Sequence, residues 1–137
     1  FIPPASFPPL SLATSGTHDT ETLAEWWGEL EVSDQAAVLK ACPPRRDHAM
    51  TLENGEPFVP RVRDRMLESL YASGSNLLVI PVQDLFGWTD RINVPAIVDD
   101  NNWTWKLPWP VDDFAHHPEA RERQQTLMQW AREYGRG

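Results

Sequence analysis

Thr17-His18-Asp19 sets a carboxylate beside an imidazole in a short polar stretch. A carboxylate placed after a strand and before a helix can stabilise positive charge developing on a sugar carbon. An adjacent His can donate to a sugar hydroxyl, and glycosyl transfer through an oxocarbenium-like state needs such groups. The same residues have a plainer use, with Asp19 capping the following helix and His18 packed nearby. Gln83-Asp84 closes an apolar run in the same way. If the two strands lie side by side, Asp19 and Asp84 could form a paired acid and nucleophile. Alternatively, Asp84 accepts hydrogen bonds from loop backbone.

A third group comprises Arg91-Ile92-Asn93-Val94-Pro95 and Asn102-Trp103-Thr104-Trp105-Lys106. Asn offers a donor and an acceptor to hydroxyls, and Trp offers an apolar face to a pyranose ring. The competing reading is a long loop pinned by buried Trp anchors. Cys42 with His48, or His116-His117, lack the repeated ligand spacing of a zinc site. The chain carries neither a Gly-rich phosphate loop nor a nucleophile-elbow pattern, so no metal and no cofactor is expected.

These residues must be positioned by elements that the apolar pattern outlines. Residues 1–9 are Pro-rich and read as extended. Leu10–Thr14 reads as a strand and Ser15–Thr20 as a polar turn. Leu23, Trp26, Trp27 and Leu30 then form one helical face, with Thr22 and Glu25 at capping-box spacing and Asp19 or Thr20 as other caps. A second helix is expected over Asp34–Cys42, capped by Ser33 and stopped by Pro43-Pro44. Residues 43–58 read as a loop with an Asn54-Gly55 turn. Pro60 opens a third helix bearing Val62, Met66, Leu67 and Leu70 and ending near Gly74. Leu77–Val82 reads as a strand buried on both faces. Residues 85–113 form a long structured loop. A last helix runs from Pro118 to Gly135 with Leu127, Trp130, Ala131 and Tyr134 on one stripe. Two strands separated by helices imply parallel pairing, and the pattern reads as the tail of a larger α/β fold.

The 137 residues fit a single unit, and 41% hydrophobic residues can form a core. Twelve basic against 20 acidic residues leave a net charge of -8, which repels phosphate backbones and anionic lipid heads. Hence neither nucleic acid nor membrane is an expected partner, whereas a neutral polyhydroxyl ligand fits. The single Cys42 excludes an internal disulfide and suits a reducing, cytoplasmic setting. No apolar run is long enough to span a bilayer. Phe1-Ile2-Pro3-Pro4 lacks an initiator Met and reads as the interior of a longer protein.

Ser11-Leu12-Ala13-Thr14-Ser15-Gly16-Thr17-His18-Asp19-Thr20, followed by Thr22-Leu23 and Trp26-Trp27, resembles the stretch around the last catalytic carboxylate of amylomaltases, the 4-alpha-glucanotransferases. Pro81-Val82-Gln83-Asp84-Leu85-Phe86-Gly87, then Arg91-Ile92-Asn93-Val94-Pro95 and Asn102-Trp103-Thr104-Trp105, resembles that family's C-terminal signature. The blocks occur in the family's order, and the resemblance covers nearly the whole chain.

The resemblance implies a (β/α)8 TIM barrel that cuts an α-1,4-glucan and passes the freed chain to another sugar's 4-hydroxyl with retention. Residues 1–137 would be its C-terminal portion, the last two strands and their helices, mostly helical as an isolated piece. By motif match, Asp19 would stabilise the transition state and His18 would bind the same sugar. Asn93 would contact sugar in the donor subsites. Gln83 and Asp84 would shape the mouth of the last strand, against the Asp19–Asp84 pair. The family's nucleophile and acid/base precede this segment, so the chain alone would be inactive. Residues 86–90, Trp88 above all, depart from the family pattern and leave fine substrate preference open. The implied partners are a maltooligosaccharide or α-glucan and the missing N-terminal part of the barrel. Without that part, the chain would self-associate or repack with helices dominant. The competing expectation is a non-catalytic carbohydrate-binding or protein-interaction module built on the same scaffold.

Overall fold

A computed structural model describes residues 1–43, 52 and 55–137. His48, Pro44 and Asn54, named above as a possible ligand, a helix stop and part of a turn, lie outside the described residues. Two strands, β1 (Leu12–Ala13) and β2 (Leu77–Leu78), pair in parallel with Leu12 opposite Leu77 and Ala13 opposite Leu78. Around them lie α1 (Leu23–Glu29), α2 (Val32–Ala41), α3 (Pro60–Tyr71), α4 (Val82–Phe86) and α5 (Pro118–Glu133). The parallel pairing and the dominance of helices agree with the sequence reading. No helix among the described residues is long and apolar enough to cross a membrane.

The core lies on one side of the strand pair. Ala13 faces Leu23 and Trp27 of α1, Val38 and Leu39 of α2, and Val62, Met66, Leu67 and Leu70 of α3, with Trp130 of α5 closing it. Amphipathic spacing explains why α3 and α5 form where the pattern put them. Pro60 takes the first turn of α3, where a missing N–H costs nothing. Arg65 of α3 donates to the Cys42 and Leu39 carbonyls at 2.6 and 2.7 Å, satisfying the open end of α2. The Cys42 thiol is buried against the Ser69 hydroxyl at 3.2 Å, and desolvation raises its pKa.

Three expectations need correction. The run Leu77–Val82 is not a strand buried on both faces: Leu77 and Val79 are 64% and 60% exposed, as Leu12 also is, and Leu78 and Ile80 alone turn inward. Pro81 has no N–H to extend the ladder, and the chain turns there into α4, so Gln83-Asp84 belongs to a helix rather than a strand end. The second helix starts at Val32 with Glu31 at its N-cap, two residues before the expected Asp34. The Glu31 carbonyl accepts from Asp34 and Gln35, while the Gln35 amide donates to the Trp27 carbonyl at the end of α1. That tight junction, not a Ser33 cap, fixes the start. Residues 1–9 are not wholly extended, because Pro4–Ser6 form a 3-10 turn. This segment presses on Gly74, where a Cβ would come within 2.2 Å of the Phe7 carbonyl oxygen.

Candidate functional site

The loop leaving β1 is built from hydroxyls. Thr14 Oγ1 donates to the Gly16 carbonyl at 2.8 Å and accepts from its N–H, which turns the chain off the ladder. Thr20 Oγ1 accepts from the Thr17 N–H at 2.9 Å, and Thr17 Oγ1 accepts from the Asp19 N–H at 3.3 Å. With the polar backbone satisfied internally, His18 and Asp19 project outward, their side chains 53% and 50% exposed.

Asp19 is fixed from two sides. Asn93 Nδ2 donates to its Oδ1 at 2.6 Å, and His18 Nε2 lies 3.3 Å from its Oδ2. Arg91 reaches the Asp19 carbonyl at 3.5 Å, while its guanidinium lies 3.6 Å from Glu21 and 4.0 Å from Glu25. Asp19, His18 and Asn93 are therefore gathered at one point, although 74 residues separate Asp19 from Asn93. Asp19 caps no helix. Thr22 Oγ1 accepts from the Glu25 N–H at 3.3 Å and caps α1 instead. The carboxylate is held in one orientation yet keeps lone pairs open to solvent, so it can accept from hydroxyls or face a developing cation.

Asp84 has the opposite environment. It is 2% exposed, and its Oδ1 accepts from the Leu23 N–H at 2.7 Å while its Oδ2 accepts from the Ser15 hydroxyl at 2.5 Å. Burial raises its pKa, against the pull of both hydrogen bonds. The proposed Asp19–Asp84 acid and nucleophile pair is thereby overturned, since a carboxyl committed to a backbone N–H and a hydroxyl has no access to a reacting atom. Asp84 does accept a backbone hydrogen bond, as the alternative reading had it, but from Leu23 at the start of α1 rather than from a loop. It stitches the start of α1 to α4. A cavity of about 30 Å³ lies between the His18 loop, Asp84 and Arg91, with Gln83 in its wall, too small for more than a water. Any sugar must lie on the open face above it.

The loop carrying Asn93 is organised by Asn102, which the sequence reading did not single out for this role. Its side chain accepts from the Val94 N–H at 2.9 Å and donates to the Val94 and Ile97 carbonyls. Adjacent Asn residues in a loop are a signal for such backbone mimicry, but not for its partners. Trp88, Trp105 and Trp109 are half-buried anchors, as one reading expected: Phe86 stacks on Trp88 with centroids 4.5 Å apart, and Trp109 stacks on His117 at 3.9 Å. Trp103 differs, being 63% exposed with its ring 5.1 Å from that of His18. Among the described residues, no group of three His, Cys, Asp or Glu is gathered for a metal ion.

Two residues of this loop are strained. Ala96 and Trp103 have φ of 64° and 65°, in the left-handed region that costs a side-chain-bearing residue about 1–2 kcal/mol. Ala96 follows Pro95 in the turn closed by the Ile97 N–H to Val94 carbonyl bond, where a glycine would fit without strain. Ala96→Gly is expected to stabilise the protein by about 0.5–1 kcal/mol, read as a rise in Tm; an unchanged or lower Tm contradicts the strain.

A sequence profile described as 4-alpha-glucanotransferase matches residues 1–112. The chain is 27% identical over 120 residues to the "4-alpha-glucanotransferase, chloroplastic/amyloplastic" of Solanum tuberosum, an alignment spanning 86% of this chain and 19% of that protein. It is 25% identical over 132 residues to the 4-alpha-glucanotransferase of Chlamydia trachomatis, spanning 93% of this chain and 24% of that one. Its fold is similar to that of the amylomaltase from Streptococcus agalactiae solved in complex with acarbose, with a TM-score of 0.72 at 25% identity. That match covers 98% of this chain and 23% of the amylomaltase chain. The chain thus spans about a fifth to a quarter of the length of these relatives.

Proposed function

The chain belongs to the 4-alpha-glucanotransferase family, and from that premise we propose that it is the C-terminal portion of an enzyme moving α-1,4-glucan segments between maltooligosaccharides. The observation that carries the reading is the Asp19 carboxylate, half-exposed in the loop after β1, aimed by Asn93 and flanked by His18. In a retaining double displacement, a carboxylate attacks the anomeric carbon as the glycosidic C–O bond breaks, and an acid/base group protonates the departing oxygen. The acceptor's 4-hydroxyl then displaces the carboxylate, giving its proton to the same group. Asp19 stabilises the positive charge that develops in both steps. His18 binds a hydroxyl of the same sugar, and Asn93, besides aiming Asp19, contacts sugar in the donor subsites.

Nucleophile and acid/base would come from polypeptide preceding Phe1. Leu12, Leu77 and Val79 support this placement, because they form an apolar strand face left open on this chain, suited to the interior of a closed barrel. The N-terminal part of the barrel is the proposed occupant of that face, with self-association of the segment when it stands alone. The lone buried Cys42 favours a reducing, cytoplasmic location.

The test uses the full-length protein and the segment side by side with maltotriose. The full-length protein should convert two maltotrioses into glucose and maltopentaose, and the segment should produce neither. No disproportionation by the full-length protein would reject the transferase reading, and turnover by the segment would reject the division of catalytic groups.

A further inference from the structure

We propose that Trp103 is a sugar-stacking platform that extends the Asp19 site by a neighbouring pyranose ring, a role resting on the transferase reading above. The other tryptophans of the 85–113 loop are occupied by their own kind. Trp88 contacts Phe86, Trp105 and Trp109, and Trp109 contacts Phe86, Phe114 and His117. Trp103 instead leaves the cluster and turns its indole toward His18, at 5.1 Å.

Two features of Trp103 are each unfavourable for folding. Its backbone is left-handed, which a large side chain avoids, and the residue is 63% exposed despite its apolar ring. The strain is not offset by burial. It is imposed by the loop: the Trp103 N–H donates to the Ile92 carbonyl at 2.8 Å, directly after the Asn102 clasp on Val94 and Ile97. Ile92 precedes Asn93, so the bond that strains Trp103 also sets its position relative to the amide that aims Asp19. Strain retained at an exposed aromatic beside a polar site is the pattern expected of a ligand clamp. An indole face matches the C–H face of a glucose ring, and His18, 5.1 Å away, lies between such a ring and the sugar held at Asp19.

The experiment compares full-length wild type, Trp103→Ala and Trp103→Phe by steady-state transfer on maltotriose and maltoheptaose. Maltoheptaose titration followed by intrinsic fluorescence and a melting curve accompany it. Trp103→Ala should raise KM and the binding midpoint about three- to tenfold with kcat little changed, and Trp103→Phe should recover most of that loss. Tm should stay level, because Ala and Phe keep the Cβ that strains the backbone and the exposed residue contributes little burial. An unchanged KM and midpoint in an active Trp103→Ala variant would overturn the platform and leave the transferase reading intact. So would a fall in Tm in both variants without a change in midpoint, the behaviour of a structural Trp. Wild-type binding without transfer, weakened by Trp103→Ala, would reject the transferase reading and support the platform. Absence of both binding and transfer in wild type would reject the two together.

Discussion

Asp19→Asn in the full-length protein is expected to lower kcat on maltotriose by about a thousandfold or more, equivalent to roughly 4 kcal/mol of transition-state stabilisation. The amide is isosteric, and its oxygen still accepts from Asn93 Nδ2, which now stands 2.6 Å from Asp19 Oδ1. On the proposed mechanism, what disappears is the negative charge that would face the oxocarbenium-like centre. Because the side chain is half-exposed and caps no helix, Tm should move by less than about 1 kcal/mol equivalent. A variant retaining more than a tenth of wild-type kcat would remove Asp19 from the chemistry. Unfolding of the variant would instead make it a structural residue, so the melting curve and the rate must be read together.

Asp84→Ala is expected to destabilise the protein by about 2–4 kcal/mol, because it leaves the Leu23 N–H and the Ser15 hydroxyl unpaired inside the fold. Asp84→Asn should cost less, since the amide oxygen can replace the acceptor to Leu23. The pH dependence has a definite sign. Burial holds the folded pKa of Asp84 above its ordinary value of 3.8. Between 3.8 and the raised value, the native state keeps a proton that the unfolded chain has released. Stability from this group is therefore complete below 3.8 and declines as pH rises through the folded pKa. Asp84→Asn should abolish that part of the slope in denaturant unfolding measured across acidic pH. An identical slope in variant and wild type would mean the carboxyl is not desolvated in solution. Since Asp84 ties down Leu23 just beyond the Asp19 loop, Asp84→Ala should also weaken transfer.

The two aspartates show how far a linear reading reaches. Both follow an apolar run and precede helical residues, so local pattern treats them alike. The Ser11–Thr20 and Pro81–Gly87 blocks separated them by resemblance. The fold separates them physically, by turning one outward and burying the other. The amphipathic spacing of Val62, Met66, Leu67 and Leu70 and of Leu127, Trp130 and Tyr134 likewise announced α3 and α5. The apolar run at Leu77–Val82 misled, because continuous hydrophobicity does not reveal that Pro81 ends the ladder or that one face is left open. The second helix was misplaced because a backbone junction, rather than a side-chain cap, sets its start.

Sequence by itself determined the class of elements, the parallel strand pair, the family and the three residues gathered at the site. The elements and their pairing follow from short-range periodicity, and the family and the three residues from resemblance to its short motifs; both are properties of neighbouring positions. Tertiary structure alone decided which carboxyl is accessible, what aims it, and which tryptophan leaves the aromatic cluster. Asp84 meets Leu23 across 61 residues and Ser15 across 69, and Asn93 meets Asp19 across 74. Contacts of that span depend on how the strands and loops pack in space, and burial, which decides the chemistry of a carboxyl, exists only once they have done so.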